Sequence, residues 1–215
     1  MILNFEYHIP IEYDKALAKQ QAIFESLVKD NSYISTILFC EHEPVLTFGL
    51  HADHTNVLQP ELLKMKGVKT YQINRGGDVT YHGPGQLVVY PIIDMKGFSL
   101  GVKSYVALLQ DVVIELLGLY EIDAFILEKH PGVWVYDSDG QEAKICALGV
   151  YCHKYVTMHG FALNVNTDMD YFKLIRPCGI PDKGVTSMVK ILGKEIDIRK
   201  VAEQIEDIFT RKLGI

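Results

Sequence analysis

The sequence contains no apolar run near the roughly 18 residues that a membrane-spanning helix needs. Its opening, Met1-Ile2-Leu3-Asn4-Phe5-Glu6-Tyr7, has no basic stretch followed by an apolar one, so no signal peptide is expected. Cysteine is sparse, with four residues, and Cys40, Cys146, Cys152 and Cys178 show neither disulfide-scaffold nor zinc-site spacing. Cys40-Glu41-His42 and Cys152-His153 also lack paired-ligand spacing, so no metal or other cofactor is expected. These features together predict reduced thiols and a cytoplasmic protein. Excess positive charge is absent too. The formal net charge is -6, which argues against a nucleic-acid partner. There is no internal repeat, low-complexity segment or linker.

What remains is an ordinary globular composition, 48% hydrophobic and 22% charged over 215 residues, enough for one core. A single catalytic domain over residues 1–215 is expected. Strand patterns fall at residues 2–7, 34–40, 45–48, 68–73, 87–93, 133–136, 145–151 and 156–165. Helical spacing predicts an amphipathic helix over 13–28 on Leu17, Phe24 and Leu27, a short one over 60–66, a central one over 104–117 and a closing one over 198–209. Residues 51–59 read as loop, and Asp137-Ser138-Asp139-Gly140 as a hairpin turn. Strands outnumber helices and several are joined by short turns. The expected class is α+β, a mixed and mainly antiparallel sheet with flanking helices.

Three stretches carry chemistry. "RGGDVTYHGPGQ", residues 75–86, interrupts two strand patterns with four glycines. It has no Walker lysine, and Gly83-Pro84-Gly85 leads into a strand, so it fits neither nucleotide fingerprint. The stretch is either a turn-rich connection or a place where glycines let a ligand touch the backbone. Cys178, in "IRPCGIPDKGVTS", lies between Pro177 and Pro181 on a turn that can present a side chain. A free thiol has a pKa near ~8.5 and needs a neighbouring cation or base to act as a nucleophile. His130, His153, His159 and Lys144 are all candidates, and spacing does not choose among them.

Read together, "EHEPVLTFG", "RGGDVTYHGPGQLVVYPI", "GVWV", "KICALGV", "HGFALNV" and "RPCGIPDKGVTS" closely resemble the octanoyl-[acyl-carrier-protein]:protein octanoyltransferase family. They keep the family's order from residue 41 to residue 187, with Asp78 at a position where the family varies. The resemblance implies a fold shared with biotin and lipoate protein ligases. It implies an octanoyl-acyl carrier protein as donor. As acceptors it implies apo lipoyl domains of 2-oxoacid dehydrogenase complexes or the glycine cleavage H protein. Cys178 matches the acyl-thioester nucleophile and Lys144 its partner. Arg75, Gly76, Gly77, Asp78, Val79, Thr80, Tyr81 and His82 match one substrate-binding stretch. Ala147, Leu148 and Gly149 match a second, and Gly160, Phe161 and Ala162 a third.

That assignment is chemically coherent. A thiolate splits acyl transfer from thioester to amide into two displacements, and a nearby ammonium favours the thiolate. Acylation then removes the thiolate, and Lys144 can turn to the incoming amine as base. Tyr81, Leu148 and Phe161 are expected to wall the octanoyl slot. Lys173, Arg176, Lys183 and Lys190 are the candidate patch for an acidic carrier. The rival functions are an ATP-dependent lipoate–protein ligase, a Cys/His thioesterase and a non-catalytic acyl-binding module.

Overall fold

The computed structural model describes residues 2–30, 34–176 and 183–215. The described strands form two sheets. The larger contains β1 (Leu3–His8), β2 (Ser35–Cys40), β6 (Gln86–Ile92), β7 (Ala124–Leu127), β8 (His130–Tyr136), β9 (Glu142–His153), β10 (Val156–Asn164) and the short β11 (Gly184–Val185). Its order is β1-β2-β6-β10-β9-β8-β7, with β11 beside β9. The β1–β2 and β9–β11 pairs are parallel and the others antiparallel. The smaller sheet is β4 (Lys69–Gln72), β3 (Val45–Phe48) and β5 (Val79–His82), in that order. The mixed, mainly antiparallel α+β architecture is thus present.

Strict alternation along β6 and β10 builds two cores. Leu87, Val89, Phe161 and Leu163 face α3 (Val102–Gly118) and α5 (Ile198–Leu213), where they meet Leu109, Val113, Leu116, Ile205 and Phe209. Val88, Tyr90, Ile92 and Ala162 point to the other face, where α1 (Tyr13–Asp30) covers one part. After the short α4 (Met188–Leu192), α5 starts at Asp197, whose carboxylate accepts from the Arg199 and Lys200 N–H groups, as an N-cap should. A third cluster fills the space between the small sheet, α2 (Pro60–Met65) and a short 3₁₀ turn at Met169–Leu174; it includes Leu46, Phe48, Leu63, Tyr81 and Phe172.

Several sequence expectations shift. Residues 79–82 form β5 inside the glycine-rich stretch, and residues 124–127 form β7; neither has the length or apolar alternation that marks a strand. Along α1 the buried positions are Tyr13, Ala16, Gln20, Ile23 and Leu27, while Leu17 and Phe24 are half-buried. The helix is turned so that Gln20 faces inward, and its Oε1 accepts from the His159 N–H at 3.2 Å. The hairpin at Asp137-Ser138-Asp139-Gly140 joins β8 to β9.

Candidate active site

Where α1 leaves the large sheet uncovered, the small sheet lies across it, and a pocket opens between the two. Its floor is a set of small residues on adjacent strands: Ala147 pairs with Ala162, and Gly149 with Gly160. Without side chains to raise it, this floor brings a ligand close to the backbone. Val88 and Val185 add apolar lining, and Gly77, Asp78, Val79, Thr80 and His82 form the opposing side. Leu148 and Phe161 border the pocket, but their side chains turn to the α3/α5 face and, contrary to expectation, do not wall it. The empty space, open mouth included, is about 770 Å³.

Lys144 reaches this pocket because β9 is irregular. Val133 of β8 pairs with Cys146, but the next residue, Trp134, pairs with Lys144, so Ile145 is an extra residue on β9. Such a bulge shifts the parity of every side chain beyond it. Ala147 and Gly149 face the pocket, so regular alternation would put Lys144 on the other face with Cys146. The bulge instead turns Lys144 into the pocket while Ile145 and Cys146 both enter the α3/α5 core. Lys144 is only 5% exposed. Cys146 is a packed core thiol, pushed well above the ordinary thiol range by burial, as expected for an inert thiol.

A buried hydrogen-bond chain runs beneath the pocket. Arg75 donates from Nη2 to the Thr47 carbonyl at 2.7 Å and to Thr47 Oγ1 at 2.9 Å. Thr47 Oγ1 lies 3.4 Å from His82 Nε2, and His82 Nδ1 lies 2.7 Å from Gln86 Oε1. Burial, with His42, Arg75 and His159 nearby, lowers the His82 pKa to about 3, so the ring is neutral at pH 7. Its Nδ1–H therefore donates to Gln86, and Nε2 accepts from Thr47. Gln86 Nε2 donates to Asn164 Oδ1 at 2.9 Å, Asn164 Nδ2 to the Thr186 carbonyl at 3.0 Å, and the Thr186 N–H to the Lys144 carbonyl at 3.0 Å. The chain couples the Arg75 segment to the backbone of Lys144 through three side chains that sequence reasoning did not single out: Thr47, Gln86 and Asn164. Gln86 and Asn164 are direct register partners on β6 and β10, a pairing that local sequence does not reveal.

The remaining expected residues fall into distinct places. Gly76 is outside the lining, and its N–H donates to the Val150 carbonyl, fixing residues 75–77 against β9. The Asp78 carboxylate accepts from the Asp53 N–H at 2.9 Å and from Asn56 Nδ2 at 2.5 Å, tying down the 53–56 loop. Tyr81 does not wall the pocket. It points to the opposite face of the small sheet, stacks on Tyr171 at 4.6 Å and fills the room left by Gly83. The alternation of β5 explains this: with His82 turned toward the pocket, its neighbour Tyr81 must turn away. Cys178 lies outside the described residues. Among the basic patch candidates, Lys173 pairs with Asp170 at 2.6 Å and Lys183 pairs with Glu142.

Of the histidines considered as bases, His130 packs edge-on against Trp134, the ring that Lys144 faces, while His159 and His153 are far from Lys144 along the sheet. His159 stands opposite Val150, six residues up β9 from Lys144, or about 16–20 Å at strand rise. It is buried, has a φ of 61°, bonds Asn74 Oδ1 at 2.7 Å, and is held neutral by burial and Arg75, with a pKa of about 3. His153 is exposed at the end of β9. Among the described residues no His/Cys/Asp/Glu group is arranged to hold a metal ion, and no helix is long and apolar enough to cross a membrane.

This fold recurs in solved ligases. A bipartite lipoate protein ligase from Thermoplasma acidophilum superposes with a TM-score of 0.71 at 17% identity, covering 100% of this chain and 85% of that one. A biotin protein ligase from Aquifex aeolicus does so at 0.53 and 16% identity, covering 100% and 70%. Residues 12–210 match the family model of the lipoyl protein ligase A/B catalytic domain, and the chain belongs to that family. Within it, the sequence is 45% identical to an octanoyltransferase from Parabacteroides distasonis over 96% of this chain and 97% of the relative. It is also 45% identical to one from Porphyromonas gingivalis over 97% of this chain, which spans 44% of that relative's length. The chain is thus placed among the octanoyltransferases, a group of acyltransferases.

Proposed function

We propose that this chain transfers an octanoyl group from octanoyl-acyl carrier protein to a specific lysine of an apo lipoyl domain, through a thioester on Cys178. The observation that carries the reading is the buried Lys144, turned by a bulge into an apolar pocket floored by Ala147, Ala162, Gly149 and Gly160. An apolar slot with one amine is suited to a fatty acyl chain whose reacting carbonyl sits beside the amine. In the first step the Cys178 thiolate attacks the donor thioester, and the carrier's sulfur leaves as a thiol with a proton from the Lys144 ammonium, which leaves the lysine neutral. In the second the acceptor amine attacks the Cys178 thioester, its proton passes to Lys144, and the Cys178 thiolate is released. The names of the relatives support the transfer, and the ligase fold supports lipoyl domains as acceptors.

Intact-mass spectrometry tests the reading. Mixing the protein with octanoyl-acyl carrier protein should add one octanoyl group, absent in Cys178→Ser. Adding apo lipoyl domain without ATP should move that group to the domain. Hydrolysis without transfer, an absolute need for ATP, or binding without chemistry would each overturn it, in favour of a thioesterase, a ligase or a binding module.

A further inference from the structure

We propose that Trp134 is a positioning residue for Lys144, holding its ammonium at the pocket through the face of the indole ring. The inference rests on the proposed role of Lys144 in transfer. Lys144 Nζ lies 4.9 Å from the centroid of the Trp134 ring, within cation–π range. The Lys183 ammonium lies over the same ring at 5.8 Å and is paired with Glu142. One aromatic ring therefore carries two cations, on the strand next to the pocket.

The ring is itself fixed. Trp134 is 1% exposed, and its Nε1–H donates to the His130 carbonyl at 3.0 Å. The His130 ring packs edge-on against it at 6.1 Å. The neighbouring backbone makes room for the lysine stem. Gly132 has a φ of +129°, and a Cβ there would stand 3.3 Å from both Cδ and Cε of Lys144 and 2.5 Å from the Cys146 carbonyl oxygen. On the other side β11 runs along β9, with Val185 level with Lys144 and Gly184 level with Ala143. The bulge at Ile145 chooses the face, Gly132 clears the path, and the indole face sets where the charge rests.

A lysine stem has four rotatable bonds, and an ammonium that favours a thiolate and protonates the leaving sulfur must be held beside both. A fixed π-face narrows that search without forming a hydrogen bond that competes with catalysis. It also makes a shape-only replacement distinguishable from one that keeps the ring. Trp134→Phe retains a π-face, and Trp134→Leu retains apolar bulk alone.

The test combines a structural and a kinetic readout on the full chain. Lysines are ¹³C-methylated reductively, and the Lys144 signal is assigned by comparison with Lys144→Arg. The signal should show a ring-current displacement in the wild type, and that displacement should vanish in Trp134→Leu. In single-turnover acylation by octanoyl-acyl carrier protein, the step in which Lys144 acts as the ammonium, Trp134→Leu should lower the rate about thirtyfold, the upper range of a desolvated cation–π contact, with the KM for the carrier within about twofold. Trp134→Phe should restore most of the rate. A Lys144 signal free of ring-current displacement in the wild type, or equal rates for the Phe and Leu variants, overturns the proposal. Should the Leu variant fail to fold, the wild-type displacement still decides it. A displaced Lys144 signal in a protein that transfers no octanoyl group would instead overturn the functional reading and leave the placement of the lysine standing.

Discussion

Gly160→Ala is the sharpest probe of how the pocket floor is made. A Cβ at Gly160 would stand 2.7 Å from Pro91 Cδ and closer still to the Val89 carbonyl oxygen. Ordinary van der Waals contact begins near 3.4 Å. The clashing atoms belong to β6, which is hydrogen-bonded to β2 on one side and β10 on the other. It cannot withdraw without loosening a ladder. Overpacking of this kind costs about 1–3 kcal/mol, and backbone neighbours place the cost at the upper end. Alanine recovers about 0.4–1 kcal/mol by restricting the unfolded chain. The net loss is about 2 kcal/mol, or a fall in melting temperature of about 4–8 °C for a chain of this size. Gly118→Ala is the control, because nothing lies within 4 Å of its Cβ position at the end of α3. It should keep the unfolded-state gain and melt slightly higher. Urea denaturation at equilibrium and thermal melts measure both. A Gly160→Ala protein at least as stable as the wild type would refute the argument that β6 cannot yield.

Other predictions follow from the same geometry. His82 and His159 are held neutral with pKa values of about 3, below the unfolded value near ~6.5. Below pH ~6.5 the unfolded chain takes up protons that the folded chain refuses, so stability should fall by about 1.4 kcal/mol per pH unit for each histidine. A urea midpoint unchanged between pH 7 and pH 5 would contradict this. Ala162→Val should raise the floor opposite Ala147 and favour shorter acyl donors. Each excluded methylene should cost roughly fourfold in kcat/KM, from ~0.8 kcal/mol per CH₂, and competition between acyl donors of different length measures it. Lys144→Met should slow deacylation by about 10²–10⁴-fold while the chain still folds, as followed by mass spectrometry of preformed acyl-enzyme.

Much of the fold is legible in the sequence because its strands alternate and its helices repeat. The central strands and the α3 and α5 patterns reappear nearly where periodicity puts them. The failures have local reasons. β5 is four residues long and flanked by glycines, so its strand character comes from pairing with β3. Gln20 looks like a surface residue of α1, yet it faces inward, where its side chain meets the backbone N–H of His159. Thr47, Gln86 and Asn164 are polar residues within strands, and each becomes significant only where strands far apart in the sequence bring the three into one hydrogen-bond chain.

The sequence by itself determined the class of fold and the family, because these depend on short patterns in a fixed order, and it nominated the candidate site residues. Only the tertiary structure decided which way those residues face. Lys144 enters the pocket because one extra residue, Ile145, reverses side-chain parity in β9. Tyr81 leaves it because β5 alternates about His82. Side-chain direction in a sheet depends on register between strands, and register is a relation between segments far apart in the chain.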